Sequence, residues 1–156
     1  MATTVKLKRI IILLFGLLAL VIISDFCIPS KTYEEEVIAV SRNKERYYNA
    51  AQNAHYSYTV QTPTYSFSAS EDFAIQFNEH PKVKTTISLL FDEVNTAEIV
   101  ATGETEVYSL RLLSGLVFPL FALIILGLGY KQPNKRTILL FVTQALLLAN
   151  LVFLLV

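Results

Sequence analysis

Three apolar blocks constrain this chain more than any other feature. The first runs from Ile10 to Ile28 and is broken only by Ser24 and Asp25 near its far end. The second runs from Leu112 to Gly129 with Ser114 as its one clearly polar side chain, and the third from Thr137 to Val156, interrupted by Thr143, Gln144 and Asn150. A helix rising about 1.5 Å per residue needs roughly 20 residues to cross a hydrocarbon core of about 30 Å, and each block has about that length. None carries the polar stripe of a helix on a soluble core, and in lipid a helix satisfies its own backbone. The blocks therefore predict three transmembrane helices. A mean hydropathy of +0.48 agrees, being too high for a soluble domain of 156 residues with a polar shell.

Charge placement predicts the orientation. Lys6, Lys8 and Arg9 precede the first block, and Lys131, Lys135 and Arg136 separate the second from the third, with no acid in either flank. Every Asp and Glu except Asp25 lies between Glu34 and Glu106. Short flanks rich in Lys and Arg stay in the cytoplasm. Two crossings separate the two flanks, so both can lie inside together. The segment between blocks one and two, and the C-terminus, are then expected outside. The exit of the first block, Ser24-Asp25-Phe26-Cys27-Ile28-Pro29, lacks the small-x-small pattern of a cleavage site, so it reads as an uncleaved signal anchor. Cys27 reads as a buried or interfacial thiol without catalytic work, since nothing beside it would lower its pKa.

From Ser30 the texture changes to short alternating runs. Tyr33–Val40 predicts one strand, followed by a charged tip at Arg42-Asn43-Lys44-Glu45-Arg46. His55–Thr62 alternates cleanly, with Tyr56, Tyr58 and Val60 on one face, and Tyr65–Ala69 alternates again after Pro63. That pattern predicts a hairpin turning near Thr62-Pro63-Thr64. Lys84–Phe91 and Ala97–Ala101 are two further candidate strands. Residues 70–77 allow either strand or helix; Ser70 as a cap with Glu71 and Asp72 in the first turn favours a short helix before Pro81.

The expected architecture is an α+β membrane protein: three transmembrane helices with a small, mainly-β extracytoplasmic module, a partly open barrel or sandwich-like, inserted between helices 1 and 2. Its segments are a cytoplasmic basic N-terminus (1–9), helix 1 (10–28), the β-rich module (29–110), helix 2 (111–130), a cytoplasmic loop (131–136) and helix 3 (137–156). The layout resembles that of many small bacterial inner-membrane proteins, in architecture only, and points to the bacterial inner (plasma) membrane.

The chemistry-bearing residues are few. One cysteine excludes an intramolecular disulfide and every four-cysteine zinc arrangement. His55 and His80 belong to no metal-ligand pair, and no Gly-x-Ser-x-Gly elbow presents a nucleophile. Gly127 and Gly129 form a lone Gly-x-Gly at a helix exit, where ending the helix or close approach of a neighbour explains them better than phosphate binding. Between Pro29 and Arg111 twelve acids face seven bases, an acidic exterior with no basic field for nucleic acid. Glu34, Glu35 and Glu36 alternate faces in a strand and cannot converge on one ion. No cofactor or metal is expected.

Polar residues inside the apolar blocks are the better candidates, because burying them in lipid is costly. Gln144, Asn150 and Thr143 are expected to pack helices or line a path, with the amides bonding to helix 2 or to another subunit; Thr143 and Asn150 share a face. Pro119 should kink helix 2. Ala145 and Ala149 make a small-x-x-x-small pair where another helix could pack. Arg111 should snorkel to the outer interface. The expected function is that of a non-enzymatic accessory or scaffold subunit, in the lipid bilayer and in contact with a protein partner or with further copies of itself. The alternative is a small transport or channel component with an oligomeric path near Gln144 and Asn150.

Overall fold

The computed structural model describes residues 2–28, 31–46, 54–79 and 81–155. Pro29, Ser30, His80 and Val156 lie outside them. The chain divides into two compact units: a helical one of residues 1–28, 89–91 and 110–156, and a β-rich one of residues 29–88 and 92–109.

The helical unit contains α1 (Ala2–Cys27), α3 (Ser109–Lys131) and α4 (Thr137–Leu155), three helices long and apolar enough to cross a membrane. α1 takes in most of the basic N-terminal flank as well as the apolar block. Its Ala19 and Ile22 are buried against Ala122 of α3 and Leu147 and Leu154 of α4. A second cluster joins Ile12, Leu126 and Leu140. Close approach is set by glycine at two points. A Cβ on Gly129 would overlap the Leu140 side chain, and one on Gly115 would lie 2.8 Å from Cδ2 of Phe26. Of the three apolar windows only 22%, 33% and 22% is buried, so most of each helix turns Leu, Ile, Val and Phe outward. That distribution is what an apolar solvent requires and water penalises.

At Pro119 the helix changes its hydrogen-bond pattern. The turn before it widens into a π-turn at Leu113–Val117, and the backbone N–H of Phe118 donates to the Leu113 carbonyl. The proline ring would collide with the carbonyl four residues back, and a wider turn relieves that collision. α-Helix resumes at Phe118, and the N–H that Pro119 lacks leaves a carbonyl of the wider turn without its helix donor.

The β-rich unit has two open sheets rather than a closed barrel. One is ordered β1-β5-β6-β7 and the other β2-β3-β4. The strands are β1 (Lys31–Glu36), β2 (Ala39–Arg46), β3 (Ala54–Gln61), β4 (Ser66–Ala69), β5 (Lys82–Ile87), β6 (Val94–Ile99) and β7 (Thr105–Val107), and every pairing is antiparallel. The single strand expected over 33–40 is broken at Val37-Ile38, so β1 and β2 enter different sheets. Residues 42–46 are not a tip but the second half of β2. Arg42 lies opposite Tyr58, and its guanidinium stacks 3.7 Å from the centre of the Tyr56 ring, so its charge need not leave the sheet. The strand expected to reach Phe91 stops at Ile87, the one expected over 97–101 begins at Val94, and the short β7 carried no periodic signal.

The expected β3–β4 hairpin is present. At its turn the Thr62 N–H donates to the Tyr65 carbonyl and the Tyr65 N–H to Thr62 Oγ1. The short helix α2 (Glu71–Gln76) forms as its cap predicts, with Ser70 Oγ accepting from the Phe73 N–H. Ser70 is itself held by both carboxylate oxygens of Glu106 in β7. One core serves both sheets and α2: Val60 and Phe67, Phe73 and Phe77, and Val83, Ile87, Val94 and Ile99. Burying each such side chain contributes about 1.5–3 kcal/mol, which a unit this small needs.

Candidate functional site

Two charges are buried among apolar side chains at one end of the helical unit. Asp25 stands in the last turn of α1, and Arg111 in the first turn of α3. Their side chains are essentially inaccessible, and Arg111 Nη2 donates to Asp25 Oδ2 at 2.8 Å. The other carboxylate oxygen, Oδ1, accepts the backbone N–H of Leu90 at 2.6 Å. Leu90 belongs to Leu89–Phe91, three residues of the β5–β6 connection that join the helical unit. The guanidinium carbon lies 5.8 Å from the Phe26 ring centre and 5.6 Å from that of Phe91. Arg111 thus has a carboxylate at its head and aromatic rings beside it, each favourable to a cation in a low-dielectric setting.

This corrects the expectation that Arg111 snorkels into water. Desolvating an arginine alone is prohibitive, but here Asp25 brings an opposite charge and Leu90 shares the carboxylate. A sequence signal for the pair existed. Asp25 is the one acid outside 34–106, and Arg111 heads the second apolar block; helices running in opposite directions bring the end of one beside the start of the next. Leu90 and Phe91 carry no such signal, because Lys84–Phe91 has the pattern of a strand.

With both carboxylate oxygens engaged, Asp25 is a poor base or metal ligand. The arrangement is a clamp holding α1, α3 and the 89–91 segment in one geometry. Among the described residues no group of three His, Cys, Asp or Glu side chains converges as a metal site would need.

A second polar contact lies deeper. Asn150 Nδ2 of α4 donates to the Ser114 carbonyl at 2.9 Å. The π-turn explains the need. In an α-helix that carbonyl would take the Phe118 N–H, which here goes to Leu113; one residue further stands Pro119, which has no N–H. Asn150 supplies the missing donor.

Of the remaining candidates, Thr143 is buried and bonds back to the Leu139 carbonyl of its own helix. Gln144 borders a separate groove of about 170 Å³ with Lys8 and Thr137. Asn150 and Gln144 are therefore not gathered on one path within a single copy. Ala145 and Ala149 lie on an exposed face of α4, and Cys27 is exposed. The two basic flanks meet at the opposite end from the clamp: Lys8 Nζ donates to Asn134 Oδ1 at 3.1 Å, and the Arg9 guanidinium lies 5.4 Å from the Tyr130 ring centre.

In the β-rich unit the polar contacts hold the fold. Glu35 accepts the Thr64 hydroxyl and backbone N–H, and hydrogen bonds from Thr62 and Thr64 hold its pKa below the usual carboxylate value. Tyr58 donates to Glu71 at 2.6 Å, which raises its phenol pKa. Tyr65 is pushed up to about 12 by burial and by its bond to Asp92. Asp92 adopts a left-handed conformation (φ 54°), one that Asp tolerates better than most residues.

No family model matches the chain, and no curated protein or solved structure is significantly similar to it.

Proposed function

We propose that this chain is a non-enzymatic integral membrane protein of the bacterial inner membrane, an accessory or scaffold subunit whose β-rich unit contacts a partner protein outside the cytoplasm. The outward-facing apolar surface of three long helices supports membrane insertion, and the excess of Lys and Arg at one end supports a cytoplasmic placement of that end. The buried ion pair supports a structural role, since it is spent on holding backbone and helices together.

The observation that carries the partner reading is Ile38. It is 68% exposed at the break between β1 and β2, the most exposed large apolar side chain among the described residues of that unit, ahead of Ile75 at 53%. Neither sheet closes, so β2 beside it is also an edge strand, where another chain can add. A photo-crosslinking residue at Ile38 in native membranes is expected to give one discrete adduct, lost with Ile38→Asp on the same module elsewhere labelled. A chain that remains uncrosslinked at native expression overturns the reading. Orientation is tested separately with an impermeant maleimide in a Cys27→Ser background: Gln61→Cys labels in intact cells and Gln132→Cys only after lysis.

A further inference from the structure

The four helix glycines divide into two kinds. Gly115 and Gly129 are required by close packing, as described above. Gly127 has no atom within 4 Å of where a Cβ would stand, and Gly16 meets only the tip of Leu123 at 4.0 Å. Glycine inside a helix is unfavourable by about 1 kcal/mol relative to alanine, so two glycines facing open space need another reason. Both line one groove of about 450 Å³ between α1 and α3, walled by Leu13, Leu17, Leu20 and Leu123. Tyr130 and Lys131 close its end, and Arg9 lies over the Tyr130 ring.

Shape and charge together restrict the occupant. From Ile12 to Leu20 the groove follows about 12 Å of helix, at about 1.5 Å per residue. That length and volume take in a stretch of one hydrocarbon chain. The walls are aliphatic along their length, and among the described residues the charges at that end are the cations Lys131 and Arg9.

We propose that this groove binds one acyl chain of an anionic phospholipid, with the lipid phosphate held by Lys131 and Arg9. The proposal rests on the membrane-spanning reading. The glycines make room for the tail, the leucines match it, and the two cations select a negative headgroup in the leaflet next to the basic flanks. Tyr130 carries an apolar ring with a polar hydroxyl, a combination that suits the boundary between tail and headgroup.

Native mass spectrometry of the full chain in mild detergent tests this, with dioleoyl phosphatidylglycerol and dioleoyl phosphatidylcholine as probes with identical tails. Wild type should retain phosphatidylglycerol at least about fivefold more tightly, and Lys131→Gln and Arg9→Gln should each lose about fivefold for that lipid alone. Each variant leaves the other basic residues of its flank in place. Gly127→Leu, whose side chain enters open space, and Gly16→Leu should weaken both lipids, with unfolding midpoints showing that the helices remain assembled. Equal retention of the two lipids by wild type overturns the proposal, as does unchanged binding by the glycine variants or displacement of the lipid by inorganic phosphate. Release of the protein from membranes by alkaline carbonate would instead defeat the membrane-spanning reading itself, so the two failures are distinguishable.

Discussion

Replacing Asp25 with leucine strands the Arg111 guanidinium among Phe26, Phe91 and the helix backbones. Asp25 makes two charge-assisted bonds, to Arg111 and to the Leu90 N–H, each contributing about 1.5–3 kcal/mol. Breaking a buried pair by removing one partner typically costs about 3–5 kcal/mol, most of it from the uncompensated charge. Asp25→Leu is therefore expected to cost about 3–5 kcal/mol, and Arg111→Met a similar amount. The double variant removes both charges and leaves chiefly the Leu90 N–H unsatisfied, a penalty of about 1–3 kcal/mol. The pair should thus be strongly non-additive, the double variant being more stable than either single one. Asp25→Asn keeps an acceptor for Leu90 while removing the counter-charge, and should fall between wild type and Asp25→Leu. Reversible unfolding in mixed micelles, followed by circular dichroism, gives all four free energies. A loss below about 1 kcal/mol for Asp25→Leu, or a double variant equal to the sum of the singles, would refute the claim that these charges depend on each other.

Asn150→Leu should cost about 0.6–2 kcal/mol by orphaning the Ser114 carbonyl. Pro119→Ala returns an N–H to that turn, so adding it should recover much of the loss; an undiminished loss in the same unfolding assay would show that the π-turn is not the reason for the bond. Gly115→Ala should destabilise by about 1–3 kcal/mol, since its methyl group meets Phe26, whereas Gly127→Ala should be neutral or slightly stabilising. Equal midpoints for these two variants would count against the packing argument. In absorbance titration at 295 nm, Tyr65 should ionise near pH 12, and Tyr65→Phe should remove that late step. The folded-state pKa is raised, so the stability tied to Tyr65 is fully present below its ordinary value near 10 and is lost as pH rises toward 12. Glu35 runs the other way. Its lowered pKa contributes stability above the ordinary carboxylate value, and that contribution disappears as pH falls through the folded value; Glu35→Gln should flatten the acid limb of the β-rich unit's unfolding curve.

The helices were readable because a bilayer-length apolar run has few other ways to satisfy its backbone, and that argument needs no knowledge of neighbours. The β3–β4 hairpin and α2 were readable for a similar reason: alternation about Pro63 and the Ser70 cap are local devices. What failed was each feature decided by a distant partner. Residues 33–40 look like one strand until pairing with β5 on one side and β3 on the other pulls the two halves into different sheets. Arg42 looks like a loop charge until Tyr56 lies beneath it. Leu90 and Phe91 continue a strand pattern, yet belong with the helices because Asp25 and Arg111 supply a bond and a cation there. The sequence by itself determined which segments are apolar, where they begin and end, and that positive charge gathers at two flanks. The tertiary structure alone decided that Asp25 meets Arg111, that Asn150 completes the turn before Pro119, and that Gly16 and Gly127 open a groove. Those contacts join residues far apart in the chain, and a periodic pattern carries no record of what its neighbour across space will be.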